Sequence, residues 1–257
     1  MTKLKAKGLS FSYGKHKVLS DVGFAPIAPG TLTALIGPNA AGKSTLFRLI
    51  AGLLRSETGA VHLGETDLAS LPTRERLKRV CFMPQFFTAN AALTVFDVVM
   101  MAHKQLRGWR VSEADMRAVG QALDLAGIGH LAEAYVSELS GGQSQMVSVA
   151  QALIRKSDVY LFDEPTSALD LRHQLQVLSQ IKSAMAARGA IGMVALHDLN
   201  LAARFADHLV LIGQGRVLAQ GSPDEVLRSA AISETYGVDI EISTGPREDL
   251  LVHAYAS

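Results

Sequence analysis

Short apolar runs, each closed by glycine or by polar residues, recur along the chain and predict its elements. LKAKGLSFSYG (residues 4–14) and the stretch around Val18 to Phe24 alternate or cluster as strands do, with Tyr13-Gly14 as the turn between them. TLTALIG (31–37) reads as a short apolar strand, and STLFRLIAGLL (44–54) as a buried helix with Gly52 near its end. GAVHL and RVCFMPQ are strand candidates separated by a short helix containing Arg74 to Lys78. From Thr94 to about Gly127 the pattern turns helical, with apolar positions at Val95, Val98, Val99, Met116, Val119, Leu123 and Leu125, and Arg107 to Trp109 as its break. A further helix carries Met146, Val149, Ala150 and Leu153 on one face.

Beyond it, VYLFDEP (159–165) is apolar enough for the centre of a parallel sheet. Residues 169–189 predict a helix with a glycine stop, and IGMVALHD (191–198) another buried strand ending in polar residues. Residues 199–221 give a helix and then a strand pair around the Gly213 to Gly215 turn. Strands alternating with helices indicate an α/β fold with a parallel sheet. The helical stretch between Gln85 and Leu153 interrupts that alternation and predicts an inserted helical subdomain. The expectation is one domain over 1–257, with residues 86–155 as the insert.

Composition narrows the class. With 257 residues, 48% of them hydrophobic, the chain has material for a sizeable core. A net charge of +1 offers no electrostatic case for nucleic-acid binding. Cys81 stands alone, which excludes an internal disulfide, makes a zinc cluster implausible and fits a reducing compartment. The first ten residues lack the apolar core of a secretory signal, and no apolar run approaches the roughly 18 residues of a membrane span. The expectation is a soluble intracellular chain.

Candidate chemistry begins at Gly37-Pro38-Asn39-Ala40-Ala41-Gly42-Lys43-Ser44-Thr45, which fits G-x-x-x-x-G-K-[ST] between a strand and a helix. Such a loop cradles phosphates in backbone N–H groups, sends Lys43 to the β- and γ-phosphates and offers the Ser44 hydroxyl to Mg²⁺. Asp163 and Glu164 end an apolar strand, where they suit a metal-shell carboxylate and a general base; an acidic helix cap is the plainer alternative. His197 ends another strand, where a structural histidine is the commoner case. Gln85 reads as a polar strand terminus or as a site residue, and Tyr13 either stacks on a base or packs under the first hairpin. Leu139-Ser140-Gly141-Gly142-Gln143 opens a helix, and a helix N-terminus attracts anions. The chain thus holds two anion-seeking loops, of which the first suffices for one nucleotide.

Taken in order, Tyr13, the phosphate loop, Gln85, LSGGQ, Asp163-Glu164, SALD (167–170) and His197 make nearly the whole chain resemble the ATP-binding subunits of ABC transporters. The resemblance implies a P-loop NTPase of ABC type, with a mostly parallel central sheet, an N-terminal antiparallel portion and a helical subdomain. It implies ATP and Mg²⁺ as ligands and ATP hydrolysis as the activity. Lys43 and the loop amides would neutralise phosphate charge, Ser44, Gln85 and Asp163 would hold the metal, Glu164 would polarise the attacking water and His197 would contact the γ-phosphate. In this family two copies pack head to tail, so Ser140, Gly141, Gly142 and Gln143 would face the nucleotide of the other copy and Asp170 would organise the facing site. A helix N-terminus contributes about 0.3–2 kcal/mol toward such an anion.

The resemblance also implies two transmembrane permease subunits, an indirect link to a substrate-binding protein, and a peripheral place on the cytoplasmic face of the inner membrane. Residues 197–227 and YGVDIEI (236–242) look like subunits of iron–siderophore importers, with haem or cobalamin import as the alternative. Two rivals stand outside transport or turnover: a soluble ABC ATPase, and a subunit that binds ATP without hydrolysing it. Four positions depart from the family pattern. Ala40 stands where glycine is frequent, and Ser144, Met146 and Gln151 occupy places commonly basic.

Overall fold

The computed structural model describes residues 2–85, 92–104, 108, 110–246 and 248–256. Two strands, β1 (Leu4–Tyr13) and β2 (His16–Ile27), form the predicted hairpin and continue through β4 (Thr58–Leu63) and β5 (Thr66–Asp67) into a four-stranded antiparallel sheet ordered β2-β1-β4-β5. The second sheet has six strands in the order β10-β9-β3-β8-β7-β6. Its members are β3 (Leu32–Ile36), β6 (Val80–Met83), β7 (Val159–Asp163), β8 (Ile191–Ala195), β9 (His208–Gly213) and β10 (Arg216–Gly221); all pair in parallel except β10, which turns back on β9.

Strands β3, β7 and β8 are buried at every residue because both faces of this sheet are covered. The period-two alternation of strand side chains divides them cleanly between two cores. Leu32, Ala34, Ile36, Tyr160, Phe162, Val194, Leu209 and Leu211 face the helical side. Leu35, Val159, Leu161, Ile191, Met193, Val210 and Ile212 face the antiparallel sheet and α1 (Lys43–Ala51). Helix α1 stops at Gly52, which adopts φ 72° and caps the helix by donating to the Arg48 and Leu49 carbonyls.

The helical region contains α3 (Val95–Lys104), α4 (Glu113–Leu125) and α5 (Gly141–Ile154). Val95, Val98, Val99, Val119 and Leu123 are buried as their spacing predicts, whereas Met116 and Leu125 lie exposed. Arg107 and Trp109, the predicted break, lie outside the described residues, as does the start of the 86–155 insert. Helix α5 is wrapped by core, with Gln145 to Ala150 all buried. Short α2 (Thr73–Arg79) precedes β6, α6 (Leu171–Arg188) ends at Gly189, and α7 (Leu199–Phe205) follows β8. The pattern of apolar residues did not resolve the last part of the chain: α8 (Pro223–Leu227), α9 (Ala230–Tyr236) and a hairpin of β11 (Asp239–Thr244) and β12 (Leu250–Tyr255). Among the described residues no helix is long and apolar enough to cross a membrane.

The connection from α5 to β7 fixes where the strand delivers its carboxylates. The Tyr160 hydroxyl donates to the Arg155 carbonyl at 2.5 Å and accepts from the Ser157 amide at 3.1 Å and from Arg188 at 2.9 Å. Tyr160→Phe deletes all three bonds at a buried site, for an expected loss of about 1–3 kcal/mol, read as a lower urea midpoint with an unchanged slope.

Candidate functional site

The site lies along the carboxyl edge of the six-stranded sheet, where ligands bind in open α/β folds. β3 is followed by Gly37, whose φ of 150° and close approach to β9 exclude any side chain: a Cβ there would sit 2.1 Å from the Ile212 carbonyl oxygen. The loop then crosses Pro38, Asn39, Ala40 and Ala41 to Gly42, which has φ 101° and no room for a Cβ beside Leu19. Gly42 caps α1 without any side-chain hydrogen bond, so the first amides of that helix remain available to an anion. Thr45 is buried in the first turn.

Lys43 is 5% exposed and donates to the carbonyls of Gly37 at 2.7 Å and Pro38 at 3.0 Å. Burial lowers its pKa, partly offset by the charges of Glu164 and Asp163. Ser44 donates to the Asp163 carboxylate at 3.0 Å, joining the helix start to the end of β7. Asp163 is 2% exposed, and its pKa is raised, chiefly by burial and against the Ser44 hydrogen bond.

Glu164 leaves β7 with φ 52°, an uncommon conformation for a side-chain-bearing residue. Three groups hold it there. Gln85, two residues beyond β6, donates to one carboxylate oxygen at 2.6 Å; His197, two residues beyond β8, meets the other; and Gln145 of α5 donates to its backbone carbonyl at 3.0 Å. The strand-end residues Gln85, Asp163, Glu164 and His197 therefore converge. Tyr13 stands apart at the end of β1, 45% exposed and edge-on to Phe11 at 4.8 Å between centroids.

The second anion-seeking loop has its own geometry. Ser140 caps α5 in a reciprocal box with Gln143: the Ser140 amide donates to the Gln143 side chain at 2.9 Å, and the Gln143 amide to the Ser140 hydroxyl at 3.3 Å. The amides of Gly141 and Gly142 have no acceptor within the helix. Gly142 packs so tightly on the Ala168 carbonyl that a Cβ would approach to 3.1 Å. An open cavity of about 730 Å³ is walled by Ser140, Gly142 and Gln143 and by Asp170 and His173 of the next segment; none of its lining belongs to residues 37–45. Asp170 caps α6, accepting from the His173 amide at 2.9 Å, and that bond keeps its carboxyl below the usual range.

The departing positions also have structural counterparts. Met146 is buried in the core and Gln151 donates to the Val98 carbonyl of α3 at 3.1 Å, so apolar packing and a side-chain hydrogen bond occupy those places. Ser144 accepts the Ser148 hydroxyl at its carbonyl. Sequence reasoning missed Gln145, whose signal was only that a glutamine falls on the otherwise apolar face of a buried helix. The donor set fits a hard cation: a serine hydroxyl and a carboxylate are already paired, and such sites hold Mg²⁺ through one or two carboxylates plus substrate phosphates.

Residues 19–167 match the family model described as ABC transporter. The chain is 34% identical over 250 residues to the iron(3+)-hydroxamate import ATP-binding protein FhuC of Bacillus subtilis, covering 96% of this chain and 92% of that protein. It is 38% identical over 244 residues to the hemin import ATP-binding protein HmuV of Thermobifida fusca, covering 95% and 85%. Among solved structures it is similar to the dimeric post-hydrolysis state of the ATP-binding cassette MJ0796 bound to ADP and Pi, with a TM-score of 0.77, 26% identity, and coverage of 86% of this chain and 98% of that one.

Ala40 takes φ 62° in the exposed turn of the phosphate loop. A left-handed alanine costs about 1–2 kcal/mol, and glycine's greater freedom in the unfolded chain returns roughly 0.5–1 kcal/mol of that. Ala40→Gly should therefore raise the stability of the nucleotide-free protein by up to about 1 kcal/mol in urea titration. A fall in stability would remove the strain assigned to this residue.

Proposed function

The chain belongs to the ABC transporter ATP-binding family, and on that premise we propose that it powers an importer of iron–siderophore complexes. Members of this family are ATPases. The cargo reading is supported by the relative named for iron(3+)-hydroxamate import, which aligns with almost the whole chain. Haem import is the second reading, favoured by the higher identity to the hemin relative. The observation that carries the hydrolytic role is the Glu164 carboxylate, suspended between Gln85 and His197 beside the Ser44–Asp163 pair.

ATP would enter with its phosphates over the amides of residues 39–45, and Tyr13 would offer its exposed ring to the base. Lys43 would exchange two neutral carbonyls for phosphate oxygens, a stronger charge-assisted pairing. Ser44, Asp163 and Gln85 would hold Mg²⁺, which when bound neutralises charge on the β- and γ-phosphates. Gln85 would then have to leave Glu164, and His197 would turn to the γ-phosphate. Each departure frees one carboxylate oxygen. Glu164, unoccupied at last, would accept the proton of the attacking water.

A second copy completes the site. Ser140, Gly141, Gly142 and Gln143 would present the N-terminus of α5 to the γ-phosphate held by the partner, with Asp170 close to the facing site. Because that interaction is with the γ-phosphate, ATP would favour the closed dimer and ADP would not. Two permease subunits would transmit this closure across the membrane, with the ATPase peripheral on its cytoplasmic face and a binding protein supplying cargo on the other side.

Glu164→Gln should reduce ATP turnover about 10²–10⁴-fold, while ATP still binds and an ATP-dependent dimer accumulates on size exclusion. Turnover at the parental rate would rule out Glu164 as the base. Ser140→Arg should abolish turnover and dimerisation yet leave ATP affinity of the monomer within about twofold, since the signature helix faces the other copy's nucleotide. An equal loss of monomer affinity would place LSGGQ at its own chain's nucleotide. Co-purification with a multi-span membrane protein separates the importer from a soluble ABC ATPase.

A further inference from the structure

Helix α9 lies far along the chain from the phosphate loop, yet it ends at the foot of that loop. Its Thr235 packs on the last residue of β9, where a Cβ on Gly213 would come within 3.0 Å of the threonine methyl group. The preceding residue of β9, Ile212, is the one whose carbonyl oxygen abuts Gly37. Tyr236 follows Thr235, and its side chain reaches the Gly37 amide. The hydroxyl oxygen is buried and stops short of hydrogen-bond geometry, so it has no partner among the described residues. Burial pushes the phenol up to about 12, and the Gly37 amide draws it back in part.

A buried hydroxyl without a partner is unfavourable, and a small movement of the neighbouring amide would satisfy it. Gly37 is the residue at which such movement is expected. Lys43 now ties down the Gly37 and Pro38 carbonyls, and phosphate would take the ammonium away from both. Released on its carbonyl side and still wedged against Ile212, the loop can settle toward Tyr236. We propose that Tyr236 is a positioning residue for the phosphate loop, its hydroxyl accepting the Gly37 N–H when phosphate displaces Lys43 from the loop carbonyls. The hydrogen bond is then made in the nucleotide-bound protein and not in the free one, so it acts on affinity and not on resting stability.

This inference rests on the nucleotide-binding reading above. The test uses the full chain and its Tyr236→Phe variant, with ATP in Mg²⁺ buffer as the probe. The expected result is a melting temperature of the nucleotide-free variant equal to or above the parent, together with ATP affinity about three- to tenfold weaker. KM for ATP should rise by the same factor with kcat unchanged. Tyr236→Leu, which also removes the ring, should lower the melting temperature and so separates packing from the hydroxyl. Unchanged affinity in Tyr236→Phe, with a parent chain that binds ATP, overturns the inference alone. Loss of melting temperature in Tyr236→Phe in step with affinity also overturns it, since the hydroxyl would then support the resting fold. A parent chain that does not bind ATP overturns the nucleotide reading and this inference with it.

Discussion

Two opposite charges are withdrawn from water at the carboxyl edge of an apolar sheet, and the rest of the site is arranged around that constraint. Lys43 and Asp163 are both almost fully buried, and burial pushes each toward its neutral form. They do not bond to each other. The ammonium is held by two loop carbonyls and the carboxylate by one serine hydroxyl, partners weaker than full counter-charges. Such a pair is poorly compensated in isolation, and on the proposed reading a triphosphate with its cation would supply both missing charges at once. Charges already removed from water would favour a highly charged ligand, because a neutral one would leave both groups as they are.

Backbone geometry answers the same demand. Four residues of the site stand at positive φ: Gly37, Ala40, Gly42 and Glu164. Gly37 and Gly42 hold it at no steric cost because they lack a Cβ, and neighbouring atoms leave no space for one. Ala40 and Glu164 hold it against their own Cβ. At Glu164 the surrounding bonds are sufficient: Gln145 fixes the carbonyl, while Gln85 and His197 share the carboxylate. A strained residue persists where its surroundings over-determine it, and such residues gather at functional sites. At Ala40 no side-chain bond performs that service, and the strain is paid by the fold.

Much of this was legible in the sequence, for identifiable reasons. A buried parallel strand writes itself as an unbroken apolar run, so β3, β7 and β8 could be read directly, together with the polar residues that follow them. Gln85, Glu164 and His197 stand just past the ends of adjacent strands and Asp163 ends one of them, but spacing alone left Gln85 and His197 open, and it was the family resemblance that placed the four in one site. Their roles in catalysis do not follow from that placement and rest on the proposed mechanism. Elements at the chain's far end were not legible, because α8, α9 and the β11–β12 hairpin are short and half exposed, with no sustained period. Gln145 and Tyr236 were hidden for another reason. Gln145 matters through one tertiary contact with a backbone carbonyl, Tyr236 through one proposed for the nucleotide-bound protein, and spacing along the chain carries no trace of either.

The two anion-seeking helix starts differ in how they are capped, and the difference bears on why two copies would be required. α1 begins at a glycine with no side-chain cap, which leaves its first amides open to an anion. α5 begins with a complete capping box, so its first turn is already ordered without ligand and keeps only the amides of Gly141 and Gly142 free. A loop that must enclose its phosphate gains from adaptable amides; a surface that must meet a phosphate held elsewhere gains from being rigid beforehand. The cavity beside α5 shares no residue with the phosphate loop, which suits contact from another molecule better than a second site for the same nucleotide. On the proposed reading, the rigid half of each site is the half that the partner supplies.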